Sequence, residues 1–128
     1  MENQFAPQQG PLAGIKVLEL GTLIAGPFCS RMLAEFGAEV IKVESPDGGD
    51  PIRQWRVLKD GNSLWWSVQS RNKKSITLNM KDARAQEIAR QLALDADIII
   101  ENYRPGVLEK WHLGYEQLRV INPALIMV

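Results

Sequence analysis

The chain has 128 residues, 45% of them hydrophobic, and balances 15 basic against 15 acidic side chains. That is enough for one domain with a real core, and zero net charge argues against a broad nucleic-acid or acidic-membrane surface. No apolar run approaches a bilayer span, and a single cysteine excludes an internal disulfide and fits a reducing compartment, so a soluble cytoplasmic protein is expected.

Residues 1–10 form a polar tail without the apolar core of a signal peptide. A domain is expected over 11–128. Residues 15–20 alternate apolar positions with Lys16 and Glu19 and predict a short strand. A turn from Gly21 to Pro27 follows, with Pro27 predicted as the first helical residue because its missing N–H costs nothing there. Phe28, Met32 and Phe36 recur at helical spacing beside Leu33 and predict the apolar, inward face of that helix. Gly37 is the expected stop, since the residue after a helix often needs positive φ. Residues 40–44 predict a second strand, which makes the first forty-odd residues a β-turn-α-β unit. Its turn lies at the carboxyl end of a strand, where open α/β sheets bind ligands.

Residues 45–61 carry Pro46, Gly48, Gly49, Pro51 and Gly61 and are expected to be loop. Arg53, Trp55 and Arg56 within it either cradle an anionic, stackable ligand or fasten the loop to the core through Trp55. A short helix is predicted over 63–68. The basic run 71–74 is either solvated or phosphate-binding, and leads into a strand over 75–78. Asp82 is the expected N-cap of a helix reaching Ala96, with Ala85, Ile88, Ala89 and Leu92 as its buried stripe. The strand 97–100 holds three consecutive isoleucines, as parallel strands covered on both faces do. Pro105 then reads as a second first-turn proline. A helix starting there, beside Arg104 and Lys110, is a ready anion site unless Arg104 pairs with Glu101. The block ending at Lys81 is expected beside it, because consecutive strands usually neighbour each other. Gly114 precedes a short helix over 115–122, and a last strand begins after Pro123. Alternating strands and helices predict a three-layer, Rossmann-like parallel sheet with helices on both faces.

Other chemistries fit poorly. Glu44 stands where a ribose-binding acid of a dinucleotide fold belongs, but Gly21 and Gly26 do not reproduce G-x-G-x-x-G, and Pro27 removes a needed N–H. A phosphate-binding P-loop fails because Pro27 and Phe28 follow Gly26 in place of Lys and Ser/Thr. Cys29 reads as a small core residue and His112 as structural, and one His with one Cys cannot build a zinc site.

Four ordered blocks carry a resemblance: PLAGIKVLELGTLIAGPFCSRMLAEFGAEVIKVESPDGGD (11–50), RNKKSITLNMK (71–81), DIIIENYRPGV (97–107) and NPALI (122–126). Together they resemble the N-terminal portion of the class III coenzyme A-transferases, the family of formyl-CoA and carnitine-CoA transferases and α-methylacyl-CoA racemase. The resemblance implies transfer of coenzyme A from an acyl-CoA thioester to a small carboxylic acid by covalent catalysis, through an aspartyl anhydride and an aspartyl-CoA thioester. It implies that the nucleophilic aspartate lies beyond Val128, so that no catalytic residue falls in this chain and these residues alone are inactive. The bare apolar strand at the end fits a portion of a longer chain. The family also implies an interlocked homodimer and no metal. Position by position, Ile24 and Ala25 match the segment along pantetheine and thioester. Leu78, Asn79, Met80 and Lys81 match the segment along the adenosine, Asn102, Tyr103 and Arg104 the segment under the nucleotide, and Lys110 a phosphate contact. Some members carry Arg where this chain has Ser45, and Arg53 or Arg71 is the expected substitute. The alternatives are an acyl-CoA racemase of the same family and a non-catalytic CoA-binding or assembly module.

Overall fold

The computed structural model describes residues 9–128; residues 1–8 of the expected tail lie outside this range. Strand β1 (Lys16–Glu19) is followed by helix α1 (Ala25–Glu35) and β2 (Glu39–Glu44). Gly37, at φ 101°, stops α1 as expected. A 3-10 helix (Pro51–Gln54) and a hairpin of β3 (Leu58–Lys59) and β4 (Asn62–Ser63) then lead to α2 (Leu64–Gln69) and β5 (Lys73–Thr77). Helix α3 (Ala83–Leu94), β6 (Ile98–Ile100), one-turn helices α4 (Val107–Lys110) and α5 (Tyr115–Leu118), and β7 (Ile126–Met127) complete the order.

The five main strands form one sheet in the order β5-β2-β1-β6-β7, every pair parallel. The chain moves outward from β1 through β2 to β5, then crosses back to β6 on the other side of β1. The crevice between the carboxyl ends of β1 and β6 is thus the topological switch point, the usual ligand position of such sheets. Consecutive strands are not always neighbours here: β5 and β6 are separated by two strands, contrary to the adjacency expected from sequence. The three-layer architecture holds, with helices on both faces. Leu18, Leu20 and Ile99 pack towards α3 with Ala89 and Ala93, whereas Val17, Val40 and Ile100 pack towards α1 with Ala34. No helix of the described residues is long and apolar enough to cross a membrane.

Four local readings need correction. Pro27 is the third residue of α1, still within the first turn, where its lack of an N–H leaves no helical bond unmade. Helix α1 buries its small side, Gly26, Pro27, Ser30 and Ala34, while Phe28 and Phe36 are about half exposed at 48% and 50%. On α3 the buried stripe is Ala85, Ala89 and Ala93, and Ile88 faces out. Small residues win on both helices because they let the helix axis approach the sheet. The 45–61 loop contains a 3-10 turn, capped by Asp50 and anchored by fully buried Ile52, and a hairpin. That hairpin has a readable signal: Asp60-Gly61, both at positive φ, is the preferred two-residue turn.

Gly21 and Gly26 fix the first turn by close approach. A Cβ built on Gly26 would lie 2.8 Å from Gly21 Cα, and one on Gly21 would lie 2.9 Å from Gly26 Cα. Replacing a helical glycine by alanine ordinarily stabilises by up to about 1 kcal/mol. Gly26→Ala is expected to do the reverse, costing about 1–3 kcal/mol because backbone must move. A chemical-denaturation midpoint equal to or above the parent's would refute the close approach.

Candidate functional site at the carboxyl edge of the sheet

Four strands end along one edge, and the segments that leave them converge. Asn102, just past β6, reaches across the switch point: its Oδ1 accepts from Thr22 N–H at 2.8 Å and its Nδ2 donates to Thr22 O at 2.9 Å. Leu23, the next residue of the turn, sits at φ 68°. Its N–H donates to the Asp50 carboxylate at 3.0 and 3.2 Å. Phe28 N–H closes the first helical bond to Ile24 O at 2.8 Å. The helix-start N–H groups of Ala25 and Gly26 therefore have no partner within the helix.

Beneath this turn, charge is buried on the face covered by α1. Lys42, 1% exposed, donates to Glu19 Oε1 (2.7 Å) and Gly21 O (2.9 Å), and its ammonium forms an ion pair with Asp50 Oδ2 at 2.7 Å. Lys73 Nζ lies 2.8 Å from Glu19 Oε2 and donates to Pro27 O at 2.7 Å. Burial holds its amine below the ordinary lysine range, against the opposing pull of Glu19. Ser30 Oγ–H donates to Glu19 Oε2 at 2.5 Å. The basic run 71–74 is therefore divided, with Arg71, Asn72 and Lys74 exposed and the Lys73 side chain turned inward. Lys73 is internal, and Lys74 pairs with Glu39 at 2.7 Å.

A second ionic group surrounds Glu44. Arg53 grips both carboxylate oxygens, at 2.7 and 2.8 Å, while its guanidinium stacks 3.6 Å from the Trp66 ring centre. Ser75 Oγ and the Asp50 N–H, the latter at 2.8 Å, also donate to Glu44. Burial alone would raise the Glu44 pKa, but the Arg53, Ser75 and Asp50 donors outweigh it and hold the carboxyl at about 2. Arg53 is thus engaged inward. Arg71 precedes β5, at the opposite edge of the sheet, 3.9 Å from Glu35. Neither guanidinium is among the residues that line the cleft beside Ser45.

Above these groups lies a cleft of about 370 Å³, whose lining includes Thr22, Glu44, Ser45, Asp50 and Trp111. Five of the sequence-derived site residues also line it: Leu78, Asn79, Met80, Lys81 and Tyr103. The segment after β5 thus folds back over the end of β2 to meet the segment after β6. Tyr103 packs edge-on against Trp111 (centroids 5.2 Å apart, 83°), and burial pushes its phenol pKa up. The other five are placed differently. Ile24 and Ala25 are exposed at the start of α1, and Asn102 spends its amide on Thr22. Arg104 and Lys110 are exposed and off the cleft lining. Among the described residues Lys81, Arg104 and Lys110 form no ion pair; Glu101 accepts from the Tyr103 N–H at 2.8 Å and leaves Arg104 alone.

The anion site expected at Pro105 is weaker than its sequence suggests. Helix α4 starts only at Val107, behind Gly106 at φ 87°, and lasts one turn, too short to sum an appreciable dipole. A separate hollow of about 250 Å³, lined by Lys16, Glu39, Ile41, Leu92 and Asp95, lies at the amino edge, away from both turns. Sequence reasoning missed Glu19, Lys42, Asp50 and Lys73 as parts of the site. The available signal was opposite charge inside strands that a crossover helix must cover.

Taken alone, the architecture is that of an α/β protein with a cleft at the carboxyl edge of its parallel sheet. Comparison with known proteins is more specific: the model described as CoA-transferase family III matches residues 12–128. The chain belongs to this family. It is 50% identical over 129 residues to the succinyl-CoA–D-citramalate CoA-transferase of Chloroflexus aurantiacus, covering 100% of this chain and 32% of that protein. It is 44% identical over 117 residues to a formyl-CoA:oxalate CoA-transferase of Escherichia coli, covering 91% of this chain and 28% of that one. The crystal structure of a CAIB/BAIF family protein from Brucella suis superimposes with a TM-score of 0.85 at 41% identity, over 94% of this chain and 33% of the other. The chain thus spans about a third of the length of these relatives.

The Glu44 site makes a pH prediction. Its folded-state pKa, about 2, lies below the ordinary 4.5. The stabilisation is therefore complete above the unfolded value and lost as pH falls from about 4.5 to 2, amounting to about 2–3 kcal/mol. Glu44→Gln is expected to be less stable at neutral pH and to show a flatter acid limb. Urea midpoints measured from pH 6 downward test this, and parallel acid limbs would refute it.

Proposed function

We propose that the whole protein transfers coenzyme A from an acyl-CoA thioester to a small carboxylic acid. The observation that carries the reading is the family match across residues 12–128. The cleft at the carboxyl edge of the sheet and the unpaired cations Lys81, Arg104 and Lys110 support it. In the proposed reaction an aspartate outside these 128 residues attacks the thioester carbonyl, forming a mixed anhydride and releasing CoA thiolate. The thiolate attacks the aspartyl carbonyl, giving aspartyl-CoA and the donor carboxylate. The acceptor carboxylate then forms a second anhydride and frees the thiolate. Thiolate attack on the acceptor carbonyl completes the exchange and restores the aspartate.

In this reading the nucleotide end of CoA lies in the cleft over Leu78, Asn79, Met80 and Tyr103, with Lys81, Arg104 and Lys110 towards its phosphates. The pantetheine arm runs past Asn102 to Ile24 and Ala25. We extend the reading to a cytoplasmic, interlocked homodimer; the exposed apolar side chains of Phe28, Phe36, Leu64 and Trp65 provide surface for such an assembly.

The reading is tested with the full-length protein, succinyl-CoA or formyl-CoA as donor, and citramalate, malate, glutarate and oxalate as acceptors. Acyl exchange detected by mass spectrometry is the expected result; no exchange with any pair overturns it. Lys81→Ala and Arg104→Ala are each expected to weaken CoA binding about tenfold, since a charge-assisted hydrogen bond is worth roughly 1.5–3 kcal/mol. The loss belongs in binding and not in kcat, because these groups stand far from the thioester. Parental affinity in both variants, by calorimetry at low salt, would place the nucleotide elsewhere.

A further inference from the structure

The charges buried beneath α1 have no role in the reaction as written. Glu19 and Asp50 balance Lys42 and Lys73, and both acids and Lys42 are at most 1% exposed. Stability is a weak reason for such a group, since apolar residues of the same volume usually do as well or better. What the group does hold is one short piece of backbone. Lys42 donates to Gly21 O, Asp50 accepts from Leu23 N–H, and Lys73 donates to Pro27 O. From the opposite side Asn102 takes both backbone groups of Thr22.

The held segment contains a conformation that leucine does not choose. Leu23 is at φ 68°, where a Cβ crowds the backbone. Such a residue persists only where its surroundings over-determine it. Here the determinant is the Asp50 carboxylate, itself fixed by Lys42 at 2.7 Å and by Ile52 N–H at 2.9 Å. The peptide that follows Leu23 carries the N–H of Ile24, and the helix-start donors of Ala25 and Gly26 come next. The torsion angles of Leu23 orient the first of these, the Ile24 N–H, and the way the chain enters α1.

We propose that Asp50, backed by Lys42, is a positioning residue for the transfer reaction: it locks Leu23 in the left-handed conformation and so aims the backbone of Ile24 and Ala25 at the thioester end of the substrate. This rests on the functional reading above. The mechanism is specific. Without the Asp50 acceptor charge, Leu23 relaxes towards negative φ, the 23–24 peptide rotates, and the groups facing the reacting carbonyl move. Misplacement of this kind slows the chemical step and leaves nucleotide binding largely intact.

The test uses full-length enzyme and a pair of substitutions that remove the same side chain. Leu23→Gly and Leu23→Ala both delete the isobutyl group, but only alanine resists positive φ. In the parent background, where Asp50 holds the turn, their kcat values should agree within about threefold. In the Asp50→Asn background, kcat is expected to fall about 10- to 100-fold with the KM for acyl-CoA little changed. There the glycine variant should exceed the alanine variant by about tenfold or more. A crystal structure of Asp50→Asn should show residue 23 at negative φ. If Asp50→Asn does not fold, Asn102→Ala loosens the same turn from its exposed side and should open the same gap between glycine and alanine. An unchanged kcat in Asp50→Asn, or an equal glycine-to-alanine ratio in both backgrounds, overturns the positioning role while the functional reading stands. Absence of acyl exchange in the parent enzyme overturns both.

Discussion

The pairing of Lys42 with Glu19 and Asp50 is the interaction on which the rest of this edge depends. An ammonium group 1% exposed in a parallel sheet must be compensated without water. It is compensated by one carboxylate from β1, one from the loop after β2, and one backbone carbonyl of the first turn. Glu19 and Gly21 flank the end of β1, whereas Asp50 comes from a loop beyond β2, so the ammonium ties together segments distant in sequence. Once Lys42 is buried, β1, β2 and the 45–50 loop therefore have little freedom to move separately. The loop in turn places Asp50 N–H on Glu44, whose other donors are Arg53 and Ser75. Two ionic groups thus share one residue, Asp50, through its side chain on one and its backbone on the other.

This layout explains why small residues face inward on α1. Ser30 must reach Glu19, and Pro27 O must reach Lys73, both across the gap between helix and sheet. A phenyl ring in that gap would hold the helix too far out for either contact. Gly21 and Gly26 serve the same end, meeting at a distance no Cβ permits. The ionic group and the close approach are one constraint seen from two sides.

Much of this was legible in the sequence. Periodicity gave the strands, punctuation gave the ends of α1 and α3, and Pro27, Gly37 and Asp82 all act within a residue or two of their expected positions. Four ordered blocks gave the family. What escaped was whatever depends on which face is covered. Phe28 and Phe36 satisfy the helical apolar pattern as well as Ala34 does, and pattern alone cannot say that charges beneath the helix reserve the inside for small groups. Lys42 and Glu19 read as ordinary alternating strand charges until the order β5-β2-β1-β6-β7 sets both strands in the middle of a covered sheet. Within the candidate site, Leu78 to Lys81 and Tyr103 come together in one cleft, because the 78–81 segment folds back over β2. Strand adjacency had suggested a different route to the same neighbourhood.

The two ends of the proposed ligand path differ in physical character, and the difference suits what each would do. Lys81, Arg104 and Lys110 are exposed cations on long side chains, screened by water and salt, and they lose little while waiting for an anion. Groups of that kind suit the remote holding of a polyphosphate, where tolerance of position is harmless. The turn at Leu23 to Ala25 is backbone, fixed from below by Lys42 and Asp50 and from the side by Asn102. Backbone dipoles held rigidly need no rearrangement when charge develops near them, which is the condition for stabilising a transition state over a ground state. On this argument the buried charges contribute little to holding the nucleotide. Their effect belongs to the reacting end, and they act through the one residue whose conformation they enforce.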